Sequence, residues 1–159
     1  MRPPHAIAAG LAILLALAGC GLPHDPDGTT ARVAGATLRV GVVHAPGWSD
    51  GPGLSGAELD AVRRFAASLD AEPAWTVAGE SQLMQALARR ELDLVVGAIP
   101  ADTPWNAHVA VSRPYPATRY AAPGAEIAVA EHAWTLPAGE NRFLVTVEAF
   151  LERDGASAP

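Results

Sequence analysis

The middle of the chain alternates between two patterns of apolar positions. Continuous apolar runs at Leu38–Val43, Pro73–Val77 and Leu92–Ile99 predict buried strands. Between these runs, apolar residues recur at intervals of three and four, which predicts amphipathic helices over 56–69 and 81–90. Strand, helix, strand, helix and strand with short joints predict right-handed crossovers and an open, mainly parallel sheet.

The polar positions of the first helix and the irregular pattern beyond residue 100 complete the prediction. We expect Glu58 and the other charged residues of the first helix to face water. The later elements are a short strand, a proline-rich turn, a last strand and a closing helix, at Val109–Val111, Arg113–Pro116, 127–136 and Asn141–Leu151.

These elements predict an α/β domain with a single open sheet flanked by helices over residues 37–153, a length that suits one domain. Residues 20–36 contain several prolines and glycines and no hydrophobic period, which predicts a flexible tether. We expect residues 154–159 to form a disordered tail.

Residues 1–19 have the pattern of a secretory signal peptide. Arg2 precedes an apolar run, Ala6–Ala18, that is too short to remain as a membrane-spanning helix. The segment Leu17-Ala18-Gly19-Cys20 resembles the lipobox of bacterial lipoproteins, in which the cysteine is acylated and becomes the new N-terminus. This resemblance implies a membrane anchor through lipid on Cys20 and an extracytoplasmic location. The alternative is an ordinary signal peptide with a cysteine near its cut site by chance.

Composition and motifs narrow the class of function. Seventeen acidic and eleven basic residues give a net charge of −6, and no basic stripe indicates a nucleic-acid partner. The single cysteine excludes an internal disulfide and a thiolate metal site. The histidines lack metal-ligand spacing, and neither a nucleophile elbow nor a phosphate loop occurs. We therefore expect no metal, no cofactor and no catalytic residues.

Several segments, taken in order, resemble the first lobe of the family-3 extracellular solute-binding proteins, the polar amino-acid receptors of bacterial ABC importers. They are Leu-Arg-Val-Gly-Val at 38–42, Gly-Ala-Glu-Leu-Asp at 56–60, Glu-Leu-Asp-Leu-Val-Val-Gly at 91–97, Asp-Thr-Pro at 102–104, Val-Ser-Arg-Pro-Tyr at 111–115 and Trp-Thr-Leu-Pro-Ala-Gly-Glu-Asn at 134–141. The resemblance implies one lobe of a periplasmic-binding-protein type II fold, a small polar solute and an ABC permease as partner.

Two features depart from that family. Only residues 116–133 separate Tyr115 from Trp134, too few for a second lobe, since one βαβ unit takes about 30 residues. The family's arginine clamp for an α-carboxylate, suited to two parallel hydrogen bonds, is replaced here by Asn106. The resemblance implies that Tyr115 packs on the hinge side.

Ligands of open α/β sheets bind outside the carboxyl ends of the strands, which indicates the loops after the first and third strands. Here Trp48 would stack on a solute, and Thr103 and Asn106 would hydrogen-bond to it. The complete set of candidate ligand-binding residues is Trp48, Gly97, Ile99, Thr103 and Asn106. His44 is expected to be a solvated loop residue.

Structural interpretations stay open for the same residues. Trp48 and Trp105 would cover the core, and Thr103 would hydrogen-bond to nearby backbone in a turn. Gly97 would allow close approach either of a ligand or of the neighbouring strand.

Two functions follow from this pattern. The first is binding of a small, polar, amino-acid-like solute without chemistry; one lobe supplies one wall of a cleft, so weak affinity or homodimerisation would follow. The second is a one-lobed scaffold for protein–protein interaction at the envelope, with Trp48 and Trp105 as aromatic anchors. A degenerate remnant is a third interpretation.

Overall fold

A five-stranded sheet organises the residues that the computed structural model describes, which are 23–43, 56–118 and 129–155. The predicted signal peptide, Cys20, His44 and Trp48 lie outside these ranges. The elements are α1 (Thr29–Val33), β1 (Thr37–Val43), α2 (Ala57–Ser68), β2 (Glu72–Ala78), α3 (Glu80–Ala88), β3 (Leu94–Val96), a 3₁₀ helix (Pro104–Ala107), β4 (Val109–Val111), β5 (Tyr115–Thr118), β6 (Val129–His132), β7 (Thr135–Pro137) and α4 (Asn141–Gly155).

The strand order of the sheet is β2-β1-β3-β7-β4, and β5 and β6 form a separate antiparallel pair. β1 pairs in parallel with β2 and with β3, whereas β7 runs antiparallel to both β3 and β4. Four strands of the five therefore share one direction, which confirms the predicted α/β class and the mainly parallel sheet.

The connections create a topological switch point between β1 and β3. The chain leaves β1 towards β2 on one side and then returns to β3 on the other side of β1. Open α/β sheets bind ligands at such a point, outside the carboxyl ends of the two strands.

The core lies on both faces of the sheet because the interior strands present apolar side chains in both directions. On one face, Leu94 and Val96 pack with the aromatic residues of α2 and α4, whereas Val95 faces α3. The largest fully buried side chain is Trp134, whose ring stacks on Phe150 with centroids 6.1 Å apart. The predicted helices are confirmed, and none in the described part of the chain is long and apolar enough to cross a membrane.

Three predicted elements differ from the observed ones. β3 spans three residues instead of eight, because Gly97 and Ala98 adopt positive φ angles of 122° and 57° and end the strand. The predicted turn at Arg113–Pro116 is shorter than expected, because Tyr115 and Pro116 already belong to β5. The predicted strand at 127–136 is divided into β6 and β7, because the N–H of Ala133 donates to the Ile99 carbonyl at 2.9 Å and the chain passes between sheets.

The segment before β1 is the largest correction: residues 23–36 are packed on the domain, although the sequence predicts a tether. They include α1, in which Val33 is fully buried. The carboxylate of Glu140, also fully buried, accepts hydrogen bonds from the backbone N–H groups of Asp27 at 3.0 Å and Thr29 at 3.1 Å. The predicted closing tail is also shortened, since α4 continues to Gly155.

A second buried carboxylate, Asp93, holds the same segment from another side. It accepts hydrogen bonds from the guanidinium groups of Arg32 at 2.5 Å and Arg39 at 2.6 Å and from the backbone N–H of Arg39 at 2.9 Å. Burial raises the pKa of Asp93, but the hydrogen bonds from Arg39 and Arg32 outweigh it, so its pKa lies below the ordinary value. Asp93 therefore stays ionised and connects α1 to β1 at the start of β3.

The substitution Glu140→Gln tests this attachment through its pH dependence. Burial raises the pKa of Glu140, but the backbone N–H groups of Asp27 and Thr29 donate hydrogen bonds to its carboxylate, and the pKa falls from 4.5 to about 2. Because the folded-state pKa is depressed, the stability from this group is present above pH 4.5 and is lost as pH falls towards 2. We expect Glu140→Gln to cost about 2 kcal/mol of unfolding free energy at pH 7 and progressively less below pH 4.5.

Urea unfolding at several pH values measures this difference, and Glu91→Gln is the matched control. Glu91 pairs with Arg89 on the surface, with both side chains 56% exposed, so its removal should leave the unfolding midpoint unchanged. A Glu140→Gln variant whose stability deficit is the same at pH 3 and pH 7 would contradict the assigned charge state.

Candidate functional site

The carboxyl ends of β1 and β3 approach each other closely at Gly97. A Cβ atom added to Gly97 would lie 2.8 Å from Val43 Cβ and 2.9 Å from Val43 N. The φ angle of 122° at Gly97 also favours glycine. Of the two predicted roles, the structure therefore shows close approach to the neighbouring strand, while contact with a ligand stays a prediction.

Glu58 is buried beside this point, contrary to the expectation that it faces water. It lies in the first turn of α2 and is 4% exposed. Its Oε2 accepts a hydrogen bond from the backbone N–H of Ala98 at 3.2 Å, and its Oε1 accepts one from the hydroxyl of Tyr115. Glu58 thus holds the left-handed turn that follows Gly97.

The sequence itself contains a signal for the burial of Glu58. Residues 58, 61, 62 and 65 are spaced by three, four and seven, and the last three are buried apolar residues. Glu58 therefore shares the apolar face of α2 with them. Its polar partners come from distant parts of the chain, so sequence spacing alone identifies the face but not the hydrogen bonds.

Tyr115 connects Glu58 to the aromatic core. Its hydroxyl accepts a hydrogen bond from Trp134 Nε1 at 3.0 Å, and the two rings meet edge to face with centroids 6.2 Å apart. Burial, the charge of Glu58 and the hydrogen bond to Glu58 together raise the pKa of Tyr115, so the hydroxyl remains protonated and donates to Glu58. The Tyr115 ring packs against the core.

Two of the predicted ligand-binding residues, Ile99 and Thr103, have buried side chains. Ile99 is 1% exposed and packs in the apolar cluster on α3. Thr103 is fully buried, and its Oγ1 accepts the N–H of Trp105 at 3.4 Å at the start of the 3₁₀ helix. The structure shows the hydrogen bond to nearby backbone that was anticipated for Thr103, and contact of either buried side chain with a solute stays a prediction.

Asn106, in contrast, is exposed, and its backbone N–H donates to the Thr103 carbonyl at 3.3 Å. Asn106 precedes β4, which runs in the same direction as β3. At Asn106 the chain is therefore returning from the carboxyl ends of the strands towards their amino ends. Trp105 is half-buried and covers the apolar cluster on α3, as the structural interpretation of this residue predicts.

The described residues thus place Gly97 at the switch point, together with Glu58 and Tyr115, which the sequence analysis did not select as site residues. Trp48 and Cys20 lie outside the described ranges, so their assigned roles remain predictions. Within those ranges, no group of three or more histidine, cysteine, aspartate or glutamate side chains has the geometry to hold a metal ion.

No protein-family model and no curated protein matches the chain. Solved structures do. A point mutant of the arginine-bound form of domain 1 from TmArgBP has 17% identity and a TM-score of 0.63, covering 82% of this chain and 98% of that one. A binding component of an ABC transporter from Wolinella succinogenes DSM 1740, described as putative and complexed with lysine, has 12% identity and a TM-score of 0.60, covering 76% and 91%.

An ancestral cyclohexadienyl dehydratase is also similar, with 14% identity, a TM-score of 0.63 and coverage of 86% of this chain and 93% of that one. At these identities the similarity shows the fold alone. The chain has the α/β fold of one lobe of an ArgBP-type binding protein, as the sequence predicts. Because one of the similar structures is a dehydratase, the fold itself is compatible with both binding and catalysis.

The contact at Gly97 can be tested with two alanine substitutions at positive φ. We expect Gly97→Ala to lower the unfolding free energy by about 3 kcal/mol or more, because the new Cβ meets both backbone and side chain of Val43. Gly35→Ala is the matched control, since Gly35 has a φ of 69° but no atom within 4 Å of its added Cβ. Gly35→Ala should lower the unfolding free energy only by the cost of a left-handed backbone at a residue with a Cβ, about 1 kcal/mol.

Urea unfolding monitored by tryptophan fluorescence measures both variants. Equal losses for Gly97→Ala and Gly35→Ala would contradict the close approach of β1 and β3.

Proposed function

We propose that this protein is a lipid-anchored, extracytoplasmic solute-binding protein that holds a small, polar, amino-acid-like solute at the switch point for an ABC permease. The observation that carries this proposal is the match to domain 1 from TmArgBP, which spans 98% of that single domain. That domain is arginine-bound without a second lobe, so a lone lobe of this fold is sufficient for binding in that protein.

The geometry of the switch point supports a binding site that acts without a second wall. The hydrogen bonds that the Ala98 N–H and the Tyr115 hydroxyl donate to Glu58 keep the backbone after Gly97 in one conformation before any solute arrives. A preorganised site loses less entropy when it binds. Since Asn106 replaces an arginine clamp and only one wall is present, we expect dissociation constants in the millimolar range.

Thermal unfolding against amino acids, amines and small organic acids tests solute binding. A bound ligand stabilises the native state by RT ln(1 + [L]/Kd), so one solute class should raise the Tm in proportion to the logarithm of its concentration. The matched control is the opposite enantiomer of the same solute, which has the same bulk properties and should produce a smaller shift. A cooperative transition that no solute moves would contradict solute binding and favour the scaffold function.

The lipid anchor is tested separately from the solute. We expect the N-terminal peptide of protein purified from membranes to begin at Cys20 and to carry the mass of a diacylglyceryl group and a fatty acid. Cys20→Ser should move the protein from the membrane fraction to the soluble fraction, whereas Ala36→Ser, a control substitution at an exposed small residue, should not. An unmodified Cys20, or equal membrane association of both variants, would contradict the anchor.

A further inference from the structure

β2 is one of the two outer strands of the five-stranded sheet, and no other described strand pairs with its outer side. It has seven residues, whereas β4, the outer strand on the other side, has three. Natural edge strands are commonly very short or carry charged residues, which discourages pairing with another chain. β2 carries a single charge, on Glu72 at its first position. The rest of its outer side is therefore suited to a partner strand.

The pairing of β2 with β1 decides which backbone groups of β2 face outward. The N–H of Glu72 donates to the Ala36 carbonyl at 2.9 Å, so the backbone of Glu72 faces β1. The register with β1 is unbroken over the whole strand, and alternate residues of a strand direct their backbone groups to opposite sides. The backbone groups of Pro73, Trp75 and Val77 therefore point away from the sheet. Pro73 has no N–H, but its carbonyl can still accept a hydrogen bond.

We propose that β2 pairs antiparallel with β2 of a second copy of this chain, with Trp75 on the twofold axis. The outward-facing residues then meet: Trp75 lies opposite the partner's Trp75, and Pro73 lies opposite the partner's Val77. The two Trp75 residues exchange a pair of backbone hydrogen bonds, and the Val77 N–H of each copy donates to the Pro73 carbonyl of the other. The N–H that Pro73 lacks costs one further bond per copy and does not interrupt the pairing.

The apolar side chains of the strand also meet in this register. Pro73, Trp75 and Val77 share one face of β2 because side chains alternate along a strand. Trp75 packs against the apolar cluster of α2 and α4, and the Arg63 guanidinium carbon lies 5.5 Å from the centroid of its ring. Val77 is 44% exposed and is one of two exposed large apolar side chains in the described part of the chain. The pairing covers Val77 with the partner's Pro73, and burial of this apolar surface favours the dimer.

Charge and size are compatible with this contact. Glu72 lies opposite the partner's Ala78, so no like charges face each other across the two strands. A strand of seven residues is about 24 Å long, and the edge is about 20 Å across, since helices cover both faces of the sheet. The contact therefore buries about 1,000 Å² over both copies, which is at the lower limit for a specific interface. We expect a dimer that dissociates in the micromolar range.

The twofold axis runs perpendicular to the sheet, because the paired strands are antiparallel. The two switch points lie at opposite ends of the joined strands, so each copy keeps its own one-walled site. Val33 of α1 packs in the apolar cluster that contains the aromatic residues of α4, so the N-terminal segments of both copies lie on the same side of the joined sheet. The dimer is therefore compatible with anchoring both copies to one membrane, but it requires neither the lipid nor the solute.

Disulfide trapping in intact cells tests this register. Ala74 and the partner's Thr76, both at exposed positions, form a non-hydrogen-bonded pair with Cα atoms about 4.5 Å apart, which a disulfide can bridge. Identical positions are diagonal neighbours about 7–8 Å apart, which is too far. Full-length chains with Ala74→Cys and with Thr76→Cys carry different affinity tags, are co-expressed and are oxidised with diamide before lysis. We expect at least about fivefold more disulfide-linked heterodimer than either homodimer.

The wild-type chain, whose only cysteine is Cys20, gives the background. Val77→Lys in both tagged chains places a charge on the strand edge and should reduce the heterodimer to that background. Val145→Lys on α4 is the matched control, since Val145 is 50% exposed and lies outside the contact, and it should leave the heterodimer unchanged.

Three results would overturn the pairing: heterodimer and homodimers in equal amounts, no heterodimer above the background, or equal effects of the two lysine substitutions. A disulfide to a different protein in place of the heterodimer would assign the edge to another partner and would also overturn it.

Discussion

A single buried carboxylate, Asp93, joins three parts of the chain that the rest of the structure depends on. It binds Arg32 of the N-terminal segment and both the side chain and the backbone of Arg39 in β1, and it directly precedes β3. A fully buried charge is stable only when its hydrogen-bonding capacity is satisfied, so these partners are not interchangeable with water. The register of β1 against β3 and the position of α1 are consequently set together.

That register decides the geometry at the other end of the same strands. Because β1 and β3 are paired in fixed register, Gly97 meets Val43 at a distance that no larger residue allows. The chain then turns through Ala98, whose N–H is taken by Glu58, and Glu58 in turn accepts the hydroxyl of Tyr115. The switch point is therefore held by polar contacts from α2 and β5, which is the kind of rigid support a binding site on one lobe requires.

The two edges of the sheet have different proposed roles. The edge where the parallel strands begin holds the N-terminal segment through Glu140 and Asp93, while the opposite edge would receive the solute. The similarity to an arginine-bound single domain supports binding by one lobe. Attachment and binding are thus separated by the length of β1.

Sequence by itself determined the strands and helices between residues 38 and 96, because apolar periodicity reports which side of an element is buried. It also indicated Gly97 as a position of close approach, and the apolar spacing of α2 contained the burial of Glu58. Only the tertiary structure decided that residues 23–36 are packed. These residues are held in place by Glu140 and Asp93, which lie far along the chain. Contacts between residues so distant in sequence produce no local period of apolar positions.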